Sequence, residues 1–79
     1  MAKGTKTKAS PADGVYRVID VVGSSSVSWE EAARNAVETA SQSLRDLRIA
    51  EVTRLDVRVD NGKVVAFRAR VQLSFKYEA

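Results

Sequence analysis

The longest regular pattern in this chain is a two-residue alternation in its last third, and alternation of that length commits the segment to a β-strand. Val65, Phe67, Ala69, Val71, Leu73, Phe75 and Tyr77 alternate with Arg68, Arg70, Gln72, Ser74 and Lys76, which makes one face apolar and the other charged or polar. Upstream, Leu55, Val57 and Val59 alternate with Arg54, Asp56, Arg58 and Asp60. Asp60-Asn61-Gly62-Lys63 joins the two runs as a hairpin. Phase selects the turn. A two-residue Asn61-Gly62 loop pairs Val59 with Val64 and Val57 with Ala66, sets Leu55 opposite Arg68, and throws the two apolar faces onto opposite sides. A three-residue loop, Asp60 to Gly62, pairs Val57 with Val65 and Leu55 with Phe67. Because a slip of one residue inverts a whole face, the three-residue loop is predicted.

Two further elements precede the hairpin. VYRVIDVV, residues 15–22, is rich in β-branched and aromatic residues and stops at Gly23, which predicts a strand largely buried on both faces. Gly23-Ser24-Ser25-Ser26 reads as a connecting loop. Ser28 and Glu31 then form a Ser-x-x-Glu capping box, with Glu30 and Glu31 at the positive end of the helix dipole. Trp29, Ala32, Ala33, Ala36, Val37, Ala40, Ser43, Leu44 and Leu47 recur at helical spacing, so a helix is predicted over residues 29–46. Its alanine-rich stripe is narrow, so its neighbour must approach closely. The stretch DLRIAEVTRL, residues 46–55, is where the helical period gives way to the strand period.

The order is β-α-β-β: an α+β fold with a three-stranded antiparallel sheet packed on one helix. The last strand is placed in the middle, so that the first crossover forms a right-handed βαβ unit. An 18-residue helix spans about 27 Å at ~1.5 Å per residue. A last strand over residues 64–77 spans about 46 Å at ~3.3 Å per residue. Roughly 19 Å of half-apolar strand is left uncovered, by the same arithmetic. Uncovered strand of that kind invites pairing with another chain, and symmetric self-association is the economical way to bury it.

Composition supports the same conclusion. Seventy-nine residues make one domain, and a domain this small needs disulfides, metal or oligomerisation to supplement its core. The chain has no cysteine and no histidine, so disulfides and the usual zinc ligands are excluded and oligomerisation remains. The net charge is +3. Residues 1–14 hold Lys3, Lys6 and Lys8 against Asp13; they are expected to be a flexible basic leader to a domain covering residues 15–79. No run approaches the ~20 apolar residues of a membrane span, and the leader lacks a secretory apolar core. A soluble, cytoplasmic protein without membrane contact is expected.

Enzymatic chemistry finds no support in the residue types, since no imidazole or thiol exists to act as base or nucleophile. Ser24, Ser25, Ser26 and Ser28 are better explained as loop and capping residues. A phosphate cradle at the start of the helix is disfavoured by Glu30 and Glu31. Glu51, Asp56 and Asp60 could supply oxygens to a hard cation such as calcium if symmetry gathers copies of them; pairing with Arg54, Arg58 and Arg68 is the simpler fate. Nucleic-acid binding is disfavoured, because the arginine-bearing faces alternate with acids and show no aromatic for base stacking.

VYRVIDVVGSSS, SWEEAARNAVETA, the Ala50-Glu51-Val52 step and VQLSFKYE together resemble the dodecin family, over residues 15–78. The resemblance implies a hollow homododecamer of cubic symmetry, built from trimers. It also implies sites at subunit contacts where tryptophans sandwich flavins, either FMN or riboflavin, for storage rather than turnover. Ile49 stands where the family's stacking tryptophan falls, and Arg68 where its flavin-bonding glutamine falls. Ile49 has no flat π-face, and an arginine is no neutral donor–acceptor amide. The sole tryptophan, Trp29, is expected to be a core anchor. The sequence thus resembles a branch lacking the flavin tryptophan, similar to calcium dodecins. The ligand-pocket candidates are Arg48, Ile49, Glu51, Arg54 and Arg68. The alternatives are a calcium site using Glu51, Asp56 and Asp60, and a flavin store with a rebuilt pocket.

Overall fold

The computed structural model describes residues 14–76; the lysine leader up to Asp13, and Tyr77, lie outside the described residues. Strand β1 spans Tyr16–Ser25, helix α1 Trp29–Ser41, strand β2 Leu47–Asp60 and strand β3 Lys63–Lys76. The sheet order is β1-β3-β2 with both pairings antiparallel. The β-α-β-β order and the central place of the last strand are as the sequence predicts.

Helix α1 lies on one face of this sheet. Ala32, Ala36, Ala69, Val71 and Leu73 form the buried core, flanked by Ile19, Val21, Ala33, Val37, Ala40, Leu44 and Leu47. Three of the five buried residues are alanines, so closeness rather than bulk makes the contact. Gly23 faces Ala69 across the β1–β3 ladder; a Cβ there would overlap the Ala32 carbonyl oxygen and stand 2.8 Å from the Ala36 Cβ. Glycine is required at this position by the approach of the helix. The N-terminus is capped as predicted, with Glu31 N–H donating to Ser28 Oγ at 3.0 Å. Ser25 Oγ accepts from Val27 N–H at 2.9 Å and organises the turn into the helix.

Four sequence expectations are corrected. First, the helix ends at Ser41 rather than at residue 46. Gln42 caps it, Ser43 and Leu44 N–H still reach the Ala40 carbonyl, and Asp46 at φ 57° turns the chain into β2. Leu44 and Leu47 extend the apolar periodicity because they still pack on the core, one from the turn and one from the strand. Burial persists there although the helix has ended. DLRIAEVTRL therefore belongs to β2 from Leu47 onward.

Second, Gly23, Ser24 and Ser25 are strand, not loop. Third, β1 is not buried on both faces: Val18 is 51% and Val22 47% exposed, because the face turned away from α1 carries no second layer in one chain. Fourth, the hairpin turn has two residues. Asp60 pairs with Lys63 and Val59 with Val64 around Asn61 at φ 56° and Gly62 at φ 77°, the left-handed pair of a type I′ turn. The phase conflict that argued for three residues is resolved by a bulge. Val65 is the extra residue between the Val59–Val64 and Arg58–Ala66 pairs, after which Val57 faces Phe67 and Leu55 faces Ala69. One extra residue restores the common apolar face as a longer loop would.

The uncovered overhang is present at this hairpin end. Val59 and Val64 are both more than half exposed, beyond the reach of a helix only 13 residues long.

Candidate ligand site on the open sheet face

Because Ala69, Val71 and Leu73 point at α1, Arg68, Arg70, Gln72 and Ser74 of β3 point to the opposite, open face. The register carries this face across both edge strands. Val18, Ser74 and Ile49 form one row; Asp20, Gln72 and Glu51 the next; Val22, Arg70 and Arg54 the third; Ser24, Arg68 and Asp56 the fourth. Four of the five predicted pocket residues, Ile49, Glu51, Arg54 and Arg68, thus share one surface. Arg48 does not fall in these rows: it is the extra residue of a bulge between the Leu47–Phe75 and Ile49–Ser74 pairs, and its guanidinium lies 4.0 Å from Asp46.

Ile49 reaches the open face because of that bulge. Leu47 packs with the core while Ile49, two residues later, is 54% exposed. A second bulge at Thr53 does the same between the Val52–Val71 and Arg54–Arg70 pairs, so that Ala50, Val52, Leu55 and Val57 stay opposite the core-facing residues of β3 while Glu51, Arg54 and Asp56 stay out. Each bulge reconciles a break in the apolar alternation with a continuous strand.

Sharing a face is not proximity. Ile49 pairs with Ser74 and Arg68 lies six positions along β3 from it, roughly 20 Å at ~3.3 Å per residue. Within one chain no single ring system stacked on residue 49 reaches residue 68.

Arg68 is already engaged. Its Nε donates to Asp56 Oδ1 at 2.7 Å and its Nη2 to Oδ2 at 3.0 Å, the two-pronged geometry that planar guanidinium and carboxylate favour. The Arg68 hydrogen bond holds the Asp56 carboxyl below its ordinary 3.8 against an opposing desolvation, with the Arg68 and Arg70 charges adding to the lowering, and Asp56 in turn raises Arg68.

The predicted cation ligands are dispersed. Glu51 pairs with Gln72, Asp56 with Arg68 and Asp60 with Lys63, and among the described residues no group of three or more acids is placed to hold a metal ion. Trp29 is not a buried anchor. It remains 40% exposed, with its ring edge-to-face on Phe67 at 5.2 Å and its Nε1–H donated to the Asp56 carbonyl at 2.9 Å. It ties the start of α1 to the root of the hairpin.

Arg70 is the member of this surface that sequence reasoning did not single out. Alternation put it on the polar face, but its pairing with Arg54 depends on the bulges, which no local motif signals.

A family model described as Dodecin matches residues 15–78. The chain belongs to the dodecin family. Calcium dodecin of Mycobacterium tuberculosis (strain ATCC 25618 / H37Rv) is 44% identical over 62 residues, covering 78% of this chain and 87% of its own. The dodecin of Streptomyces coelicolor superposes with a TM-score of 0.77 at 40% identity, covering 82% of this chain and 93% of that one. The crystal structure of the Mycobacterium tuberculosis calcium dodecin, described as having a novel calcium-binding site, superposes with a TM-score of 0.73 at 44% identity and the same coverage. The chain keeps the β-α-β-β unit of these relatives, and the two positions that the resemblance assigns to the flavin sandwich hold side chains of another kind. Ile49 offers no ring, and the Arg68 guanidinium is spent on Asp56. Among the described residues no helix is long and apolar enough to cross a membrane.

Proposed function

We propose that this dodecin-family chain assembles into a hollow homododecamer and binds a small ligand where copies meet, without catalysing a reaction and with weak affinity for FMN or riboflavin. The observation that carries the reading is the separation of Ile49 from Arg68 on one face, which makes any pocket using both a property of two chains. The exposed apolar residues at the hairpin end and on β1 support assembly, since a lone chain leaves them in water. The Asp56–Arg68 pair supports weak flavin affinity: a flavin would have to break a charge-assisted bond to recruit Arg68.

The test is a light-scattering mass with an absorption spectrum on the same purified sample, followed by titration of FMN and riboflavin fluorescence. A colourless particle of about twelve chains that leaves flavin emission unquenched is expected. Ile49→Trp should introduce quenching by restoring an aromatic platform. Tightly retained yellow flavin in the parent protein would refute the reading and favour the rebuilt flavin store.

Calcium is the second reading, favoured by the calcium dodecin among the relatives. Because Glu51, Asp56 and Asp60 stand apart in one chain, the reading needs oxygens from several copies. Calorimetric titration with calcium tests it; no heat together with no shift in melting removes it.

A further inference from the structure

Arg54 and Arg70 stand directly opposite each other across the β2–β3 ladder on the open face. Like charges in that position destabilise a sheet unless something offsets them. Within the described residues the offset is small: no carboxylate lies within 4.0 Å of either guanidinium, and Asp56, whose carboxyl feels the Arg70 charge, is bonded to Arg68. The row is completed by apolar Val22 on β1. Arg58 faces Ala66 further along the same side, so Arg54, Arg58, Arg68 and Arg70 share this end of the face; Asp56 is bonded to Arg68, Asp60 pairs with Lys63, and Asp20 and Glu51 flank Gln72 in the next row.

The arrangement is held in place. The Thr53 bulge shifts the register so that Arg54, not Thr53, pairs with Arg70. Thr53 Oγ1 donates to the Arg70 carbonyl at 3.3 Å, fastening the bulge to the residue it serves. Bulges that re-aim a side chain are common beside binding sites. Arginines at facing positions of adjacent strands bring two planar donor forks within reach of one small anion, a pairing suited to a tetrahedral oxyanion.

We propose that the Arg54–Arg70 pair is a binding site for a phosphate-bearing small anion, with Arg58 lending charge. Asp56 keeps Arg68 out of the site and limits it to two guanidinium groups. The inference deepens the reading of the open face as ligand-bearing, but it does not depend on which symmetry contact covers that face. A particle mass measured alongside separates failure of the assembly reading from failure of this one.

The experiment compares thermal melting of the full chain in inorganic phosphate, in pyrophosphate and in chloride at matched ionic strength, with phosphorus NMR line widths of the same anions as a second readout. Phosphate and pyrophosphate are expected to raise the melting temperature and broaden their own resonances, with chloride inert. Arg54→Gln and Arg70→Gln should each weaken the apparent affinity about tenfold or more, the loss of one charge-assisted contact. Without added anion, each variant should melt at or above the parent temperature, because the like-charge repulsion is gone. Equal stabilisation by chloride, an undiminished response in both variants, or unbroadened phosphate resonances with the parent protein would each overturn the proposal.

Discussion

Gly23→Ala is the most incisive perturbation of the fold, because it adds one methyl group where helix and sheet meet. Gly23 lies in β1 and is not among the residues with positive φ, so alanine pays no backbone penalty there and the cost is steric. The new Cβ would overlap the Ala32 carbonyl oxygen and stand 2.8 Å from the Ala36 Cβ and 3.0 Å from the Ala36 nitrogen. Two of these atoms are helix backbone and cannot rotate away, so α1 must withdraw from a core whose centre is fully buried Ala32 and Ala69. Overpacking typically costs ~1–3 kcal/mol, and an obstacle made of backbone belongs at the upper end. For a domain of this size ~1 kcal/mol moves the melting temperature by 4–8 °C, so a fall of roughly 12–24 °C is expected. Melting should be followed by circular dichroism at one fixed protomer concentration, since assembly makes stability concentration-dependent. Adding Ala36→Gly removes the methyl contact but leaves the Ala32 carbonyl in place, so the double variant should recover only a minor part of the loss. Melting of Gly23→Ala within about 2 °C of the parent, equivalent to less than ~0.5 kcal/mol, would refute the close-contact argument.

Further outcomes follow from the hairpin and its root. Gly62→Ala meets no atom within 4 Å but must hold φ near 77°, so it should cost ~1–2 kcal/mol, read by urea titration. Trp29→Phe keeps an aromatic ring near Phe67 but deletes the Nε1–H bond to the Asp56 carbonyl; a loss of about 1 kcal/mol is expected by thermal melting. Since Trp29 is the sole tryptophan, its emission in the parent protein should report unlocking of this junction during a urea titration. Asp56 titrates lower in the folded chain than its ordinary 3.8, so its contribution to stability is present above that value and is lost as pH falls through the lowered one. Asp56→Asn should therefore flatten the acid limb of a stability profile measured below pH 4, while leaving the profile near neutrality unchanged in shape.

Much of the fold was legible because it rests on local patterns. The Ser28 cap, the alanine stripe and the alternation of β3 each follow from spacing alone, and they specify the element order. The misreadings of helix end and register arose where burial and hydrogen bonding part company. Leu44 and Leu47 keep a helical period in the sequence because the core collects them, although the hydrogen bonding has already changed at Gln42. Val65, Thr53 and Arg48 each let an apolar pattern slip by one residue without ending a strand. A bulge has no motif of its own; it is the register that a partner strand tolerates, and so belongs to the pair rather than to either sequence. The same holds for the site. The family resemblance pointed to Arg48, Ile49, Glu51, Arg54 and Arg68, and the sheet places all but Arg48 on one face. Arg70 gained its significance only from the strand opposite. The separation of Ile49 from Arg68, and the capture of Arg68 by Asp56, likewise depend on cross-strand register.

The sequence by itself determined an α+β chain of dodecin kind with one long hairpin, no thiol or imidazole chemistry, and an isoleucine where the resemblance expects a stacking tryptophan. Tertiary structure decided which side chains share a surface, which arginine is already paired, and where two like charges are held together. The physical reason is that periodicity acts within a strand, whereas register is fixed by hydrogen bonds and packing between strands.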